Sequence, residues 1–405
     1  MDSTVSTLRR NLPFLKETVY LDSASVSPAP SFVLRKIALY HRQFPFNYGV
    51  GVFREAEHCK AEVDRARGSI ARLIGAQTEE IVFTKNTTEA INVVSSGLAL
   101  GPDDEIVVTD LEHQSNLIPW FRLGREVGVK VRVVKANHEG LIGPPKVAGA
   151  LSPRTKLVAI THVSNVLGTV QRVEEIGRVL QGSEALFMVD GAQSVGRIPV
   201  DVAKINCDFF AGCGRKALMG AQGTGFLFGK RDMLERLRPL ILGSRAADVV
   251  SSSEYQLKPV PLRFEAGIIN TSGFIGLGVA AEYFQEVGLK KVEARLRTLT
   301  SMLMEGLKGI ERIKIYGDHS VSGQAGIVSW NLDTYESHEV AKALGKMGIL
   351  VASGAQGSPL AMKALGAKGV VRTSVHYYNT GKDLHRFLDC LKSMRCKGGG
   401  NDSRG

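Results

Sequence analysis

The apolar run Phe187-Met188-Val189 ends in a single acid, Asp190, and a lysine, Lys216, follows in the glycine-flanked stretch Ala211-Gly212-Cys213-Gly214-Arg215-Lys216. A carboxylate at the end of a buried strand can face a heteroaromatic ring nitrogen and hold it protonated, and a lysine amine can form a Schiff base with a carbonyl. Together these are what a pyridoxal-phosphate site requires. Each residue also has a plain reading: Asp190 as a helix N-cap, since the chain turns away from Gly191 onward, and Lys216 as a solvated loop lysine.

Other residues of suitable chemistry fall into the same frame. Thr87 and Thr88 open an amphipathic helix, where they serve equally as caps or as part of an anion site for a phosphate. His113, in Glu112-His113-Gln114-Ser115-Asn116, follows a strand, so it either stacks on a ring and shuttles a proton or caps a turn. Arg372, in Val370-Val371-Arg372-Thr373-Ser374-Val375, has the planar fork that suits a carboxylate, although a lone surface arginine is unremarkable on a strand. The small residues Ser23-Ala24-Ser25 let backbone approach a ligand closely. The glycine-rich stretch Gly220 to Gly225 leads into a strand, not a helix, and so fails as a dinucleotide loop. The histidines and acids show no metal-ligand spacing, and no metal is expected.

An alternating series of elements has to position these groups. Strands are expected at 81–84, 105–109, 131–134, 156–161, 185–189, 208–211 and 225–228, with helices at 88–98, 114–127 and 173–180. This alternation predicts an α/β fold, a mostly parallel sheet sandwiched by helices, in which ligands bind at the carboxyl ends of the strands. Thr87, His113, Asn165, Asp190, Gln193 and Lys216 all fall at such ends or just past them. Beyond Pro261 the pattern changes to a long helical region over 273–309, then strands at 313–316, 326–330 and 370–375 separated by helices at 337–347 and 382–393. The predicted organisation is an N-terminal segment (1–30) packing with the small domain, a large cofactor-binding domain (31–285), a smaller α+β C-terminal domain (286–396) and a disordered tail (397–405).

Bulk properties narrow the class. The chain has 405 residues, 44% hydrophobic and 22% charged, with mean hydropathy near zero. No apolar run is long enough to cross a bilayer and no basic-then-apolar leader opens the chain, so a cytoplasmic protein is expected. Five cysteines without a C-x-x-C pair argue against a disulfide framework or zinc site. The net charge of +11 is spread among acids and accompanied by few aromatics, which argues against nucleic acid as a partner.

The ordered motifs Tyr20-Leu21-Asp22-Ser23-Ala24, Asn86-Thr87-Thr88-Glu89-Ala90, Glu112-His113, Ser164-Asn165-Val166-Leu167-Gly168, Asp190-Gly191-Ala192-Gln193, Phe264-Glu265-Ala266-Gly267 and Tyr378-Asn379-Thr380 span most of the chain. In them the sequence resembles class V aminotransferases of the cysteine desulfurase/selenocysteine lyase group, with the fold type I architecture and a seven-stranded sheet. The resemblance implies that Lys216 carries the cofactor and moves the α-proton, and that His113 stacks on the ring. Asp190 would pair with the ring nitrogen, Gln193 and Asn165 would lie by the ring hydroxyl, and Thr87 and Thr88 would hold the phosphate. Arg372 would bind the substrate carboxylate, with Asn165 and Ala24 beside the substrate. It further implies a homodimer in which the 267–271 loop reaches the partner's phosphate.

Departures from the family pattern bear on the reaction. The stretch before the lysine, usually Ser-Gly-His-Lys, is Cys213-Gly214-Arg215-Lys216, which puts Cys213 and Arg215 near the phosphate. Ile268 stands where a phosphate-reaching threonine is expected, leaving Thr271 for that role. The histidine-rich substrate loop is replaced by 47–53. Most important, Gly357 in Ala352-Ser353-Gly354-Ala355-Gln356-Gly357 stands where a desulfurase carries its persulfide-forming cysteine. The expectation is therefore a pyridoxal-phosphate enzyme that acts on a small L-amino acid by C–S cleavage or related chemistry at the α- and β-carbons. Transamination, racemisation or β-elimination without persulfide chemistry, and a non-catalytic binding protein that keeps the fold, are the alternatives.

Overall fold

A computed structural model describes residues 3–317, 320 and 323–394; the expected tail and Cys396 lie outside them. The main sheet has seven strands in the order Ile81–Thr84, Gly225–Gly229, Phe209–Cys213, Leu186–Asp190, Thr155–Thr161, Glu105–Thr109 and Lys130–Val134. Only Gly225–Gly229 runs antiparallel to its neighbours.

Successive side chains on a strand point to opposite faces, and here both faces are apolar. Phe187, Val189 and Phe210 join the core on one side; Met188, Phe209 and Ala211 join the core on the other. The first side is covered by helices that include Arg54–Ile74 and Thr271–Val287, which cross where a β-carbon built on Gly278 would sit 2.5 Å from that of Ala66. The second side is covered by Thr87–Gly97 and Ile118–Val127, whose Ala90, Ile91 and Trp120 face the sheet. Burial on both faces explains why the central strands read as continuous apolar runs.

A second, antiparallel sheet follows, ordered Ile313–Ile315, Ile327–Leu332, Val370–Ser374 and Ala352–Gly354. The N-terminal segment joins this region: Val19–Tyr20 pairs in parallel with Ile349–Leu350, and Asp22 bridges to Ser374.

Several local expectations change. The single helix expected over 273–309 is two helices, Thr271–Val287 and Leu289–Lys308, because Gly288 adopts φ +83° and interrupts the hydrogen-bond ladder. The helix expected over 114–127 is a 3-10 turn, Gln114–Asn116, followed by Ile118–Val127, with Pro119 in the first turn where a missing N–H is tolerated. The strand Ala352–Gly354 was not expected, since its small, half-buried residues lack a β pattern.

One buried ion pair ties the first face together. Arg67 makes a bidentate contact with Glu265 at 2.6 and 2.9 Å, and Glu265 also accepts the Phe83 N–H at 2.7 Å. Arg67 donates to the Ile81 carbonyl at 2.7 Å and lies 4.3 Å over the Phe83 ring. Both side chains are almost completely buried, so removing one leaves an uncompensated charge. We expect Glu265→Ala to lower unfolding free energy by about 3–5 kcal/mol, read from urea denaturation; a loss near zero would contradict the assignment.

Candidate active site

The carboxyl ends of the main sheet open into a cleft of about 540 Å³ whose lining includes Ala24, Thr87, Thr88, His113, Asn165, Asp190, Gln193, Cys213, Arg215, Lys216 and Arg372. Every predicted site residue except Thr271 meets there. Thr271 starts its helix outside that lining, is buried, and its Oγ1 donates to the Ile269 carbonyl at 3.4 Å. The exposed side chains of that loop are Ile268 and Asn270.

Lys216 follows the strand Phe209–Cys213 and points into the cleft. Burial pushes its amine down from the ordinary lysine range; the neighbouring Cys213 and Asp190 oppose this, while Arg215 and Arg372 add to it. A depressed amine is more often neutral, and only a neutral amine attacks a carbonyl. Asp190 is buried at the end of its strand and accepts the Ala192 N–H at 2.9 Å. Burial pushes its carboxyl up, against that N–H and the Lys216 charge. A turn and not the foreseen helix follows Asp190, so the contact is a turn contact in place of a helix cap, and it occupies only one carboxylate oxygen.

The start of the helix Thr87–Gly97 resolves the other capping question. Asn86 is the cap, its Oδ1 accepting the Glu89 N–H at 2.9 Å. Thr87 Oγ1 is buried and, among the described residues, has no hydrogen-bond partner, while Thr88 Oγ1 contacts Ser115 Oγ at 2.8 Å. Unpaired helix N–H groups beside an unsatisfied hydroxyl form a site for an anion. Arg215 approaches from the opposite wall, donating to the Ser25 carbonyl. Gln193 donates to the Ala24 carbonyl at 2.8 Å, which leaves its buried Oε1 unsatisfied.

His113 is neutral. Burial, then the positive charges of Lys216, Arg372 and Arg215, push it down to about 4. Its Nδ1 accepts the Ser115 N–H at 3.1 Å, which puts the ring proton on Nε2. That nitrogen faces the 352–358 strap. A β-carbon built on Gly357, where φ is +70°, would lie 2.8 Å from His113 Cδ2 and closer still to Nε2. The strap is fastened there: the Gln114 N–H donates to the Gly357 carbonyl at 2.8 Å, Asn165 Nδ2 to the Gln356 carbonyl at 2.8 Å, and Ser358 Oγ to Asn165 Oδ1 at 2.9 Å.

Contacts behind and beside the cleft lining were not foreseen. Asp22 and Ser25 both accept from Arg372 Nη2, at 3.0 and 2.6 Å, and the Asn165 carbonyl accepts from Nη1 at 3.1 Å. Behind His113, Glu112 accepts from Thr109 Oγ1 at 2.6 Å, Asn116 Nδ2 at 2.6 Å and the Thr161 N–H at 3.0 Å, while burial pushes its carboxyl up to about 8. Its position next to His113 was the available signal. For Gln356 and Ser358 the sequence carries none.

A lysine with a depressed amine, an acid opposite, an orphaned hydroxyl at a helix start and an orphaned amide oxygen fit pyridoxal phosphate. Comparison with known proteins agrees. The aminotransferase class-V family model matches residues 19–387. The chain belongs to that family. A probable cysteine desulfurase of Methanothermobacter thermautotrophicus is 41% identical over 96% of this chain and 97% of its own length. The apo cysteine desulfurase of Thermococcus onnurineus NA1 superposes with a TM-score of 0.93 at 35% identity, covering 96% of this chain and 97% of that one. A C-DES variant with glycine covalently linked to its PLP cofactor has a TM-score of 0.85 at 22% identity, over 96% of this chain and 99% of that one, and shares the fold. This class-V family member is a pyridoxal-phosphate enzyme with the fold type I architecture. Among the described residues no helix is long and apolar enough to cross a membrane.

The buried imidazoles of this class-V enzyme give a direct check. Burial pushes His113 and His162 down to about 4 and His376 to about 3, so each stays neutral well below an ordinary histidine near 6.5. We expect their ring resonances to be flat between about pH 5.5 and 8 in an NMR titration. A His113 resonance that titrates near 6.5 would contradict its placement beside Lys216, Arg372 and Arg215.

Proposed function

We propose that this class-V enzyme cleaves a C–S bond in a small L-α-amino acid and releases the sulfur to an acceptor in solution, not to a cysteine of its own. The cleft geometry around Lys216 and Asp190 carries the first part. Pyridoxal phosphate, when bound, withdraws electrons from the substrate α-carbon through its protonated ring. Lys216 holds the cofactor through its amine and, once substrate has replaced it, moves the α-proton on Nζ. Asp190 keeps the ring nitrogen protonated with its free carboxylate oxygen. His113, neutral and fixed by Ser115, lies against the ring. Thr87 Oγ1, the helix N–H groups, Thr88, Cys213 and Arg215 hold the phosphate. Gln193 Oε1 takes the ring hydroxyl with the remaining Asn165 N–H, and Arg372 takes the substrate carboxylate beside Ala24.

The geometry of Gly357 supports the second part. Its left-handed backbone and its contact with His113 leave no space for a thiol-bearing side chain on the fastened strap. Cys213 is the cysteine that lines the cleft among the described residues, and it is buried at the phosphate end.

The same reading makes the enzyme a cytoplasmic homodimer in which the 267–271 loop, with Thr271, lies near the partner's phosphate. In support of a dimer face at that loop, Val50 and Ile268 are exposed apolar residues that line one hollow together with Asn47, Ser244 and Gly267.

Incubation with L-cysteine, L-cystine and L-alanine, following sulfide, pyruvate, keto acids and the D-isomer, tests the reaction. The expected result is soluble sulfur product with no protein-bound persulfide; a persulfide on the wild-type chain would overturn the Gly357 argument. Gly357→Cys is expected to lower activity and to gain no acceptor function, since a left-handed non-glycine residue costs roughly 1–2 kcal/mol before any clash. Persulfide accumulation on the introduced cysteine would contradict this.

A further inference from the structure

Arg372 is buried, and its hydrogen bonds leave it oddly disposed for the role proposed above. A guanidinium has five N–H bonds. Nη2 gives one to Asp22 Oδ1 at 3.0 Å and the other to Ser25 Oγ at 2.6 Å. Nη1 gives one to the Asn165 carbonyl at 3.1 Å. Nε is buried with no partner among the described residues. The unused N–H bonds are therefore one on Nε and one on Nη1. Each edge of the fork needs Nη2 to present a parallel pair, because the side edge is Nε with Nη2 and the end edge is Nη1 with Nη2. With both Nη2 hydrogens engaged, neither edge can receive a carboxylate in bidentate fashion.

We propose that Asp22 is an internal stand-in for the substrate carboxylate: a latch that closes on Arg372 when the cleft is empty and is displaced when an α-carboxylate enters. The inference rests on Arg372 being the carboxylate anchor of the proposed function. Burial pushes the guanidinium down and Asp22 opposes this, so the cation has a partner whether or not a substrate carboxylate is bound. Asp22 is suited to leave. Its side chain keeps 22% exposure, against 4% for Arg372, and it sits in a turn where Ser25 Oγ also donates to its Oδ1 at 2.8 Å. Exchanging one carboxylate for another preserves the buried pair and returns Asp22 toward water.

The arrangement also filters ligands. Only a group that matches a carboxylate in charge and geometry can open the latch, and affinity is reduced by the fraction of time the latch is shut. The strand that carries Arg372 pairs with the strap, Ala352 opposite Arg372, and Asn165 holds both Arg372 and the strap. The latch thus lies at the junction of the N-terminal turn, the main sheet and the second sheet.

The test uses holoenzyme and propionate, a carboxylate without an amine, titrated by calorimetry beside thermal unfolding of the ligand-free protein. Asp22→Asn is expected to bind propionate about tenfold more tightly if the latch is shut about nine-tenths of the time, and to unfold at a lower temperature without ligand. A merely structural Asp22 would move affinity and stability down together. Ser25→Ala, which frees one Nη2 hydrogen and keeps the ion pair, is expected to tighten propionate binding by a smaller factor and serves if Asp22→Asn fails to fold. Weaker or unchanged binding in these variants overturns the latch. Arg372→Gln separates the two failures. If it binds propionate as the wild type does, Arg372 is not the anchor and the underlying reading falls with the latch. If it loses binding while Asp22→Asn and Ser25→Ala do not tighten it, the latch alone falls.

Discussion

A half-buried lysine amine whose charged form is disfavoured, set with a single carboxylate in one cleft, is the constraint on which the rest of this structure depends. Burial destabilises the charged amine of Lys216, and Asp190 offsets that only in part because burial penalises its own charge as well. The arrangement holds because the strands beneath are over-determined. Asp190 ends one strand and Lys216 follows its parallel neighbour, and the side chains of both strands alternate between two apolar cores, so a slip of either would misfit the packing on both faces. The apolar sheet is the means by which a reactive amine and its counter-charge are held at one place.

A second polar system closes the cleft over that pair. Asn165, from the main sheet side, holds the strap through its side chain and Arg372 through its carbonyl. Arg372 in turn holds the N-terminal turn through Asp22 and Ser25. Three stretches far apart in sequence thereby share one set of hydrogen bonds, and the strap lies against His113 without a side chain at Gly357. The chemistry-bearing floor and the selective roof of the site are built by different physical means: apolar packing below, and a polar network above.

This division also explains what the sequence disclosed. The floor was legible because an acid that ends an apolar run, a threonine at a helix start and a lysine between glycines are local signals, and parallel topology then places them at one sheet edge. Local reading stumbled where one residue decides between continuations. Gly288 breaks a helix whose apolar periodicity runs on either side, and Pro119 begins one that the pattern had started earlier. Capping at Asn86, not at the threonines that follow it, required the backbone. In the roof Arg372, Asn165 and Gly357 were legible as residues of the site, but their partners were not. Asp22 meets Arg372 across 350 positions and Asn165 meets Gln356 across 191, and neither pairing leaves any periodicity in the chain.

The most direct test of the central claim is chemical trapping of the cofactor on the wild-type enzyme. Borohydride reduction of the purified holoprotein, followed by peptide mass spectrometry, is predicted to leave a phosphopyridoxyl mass on Lys216. An unmodified Lys216, or the adduct on another lysine, would contradict the account.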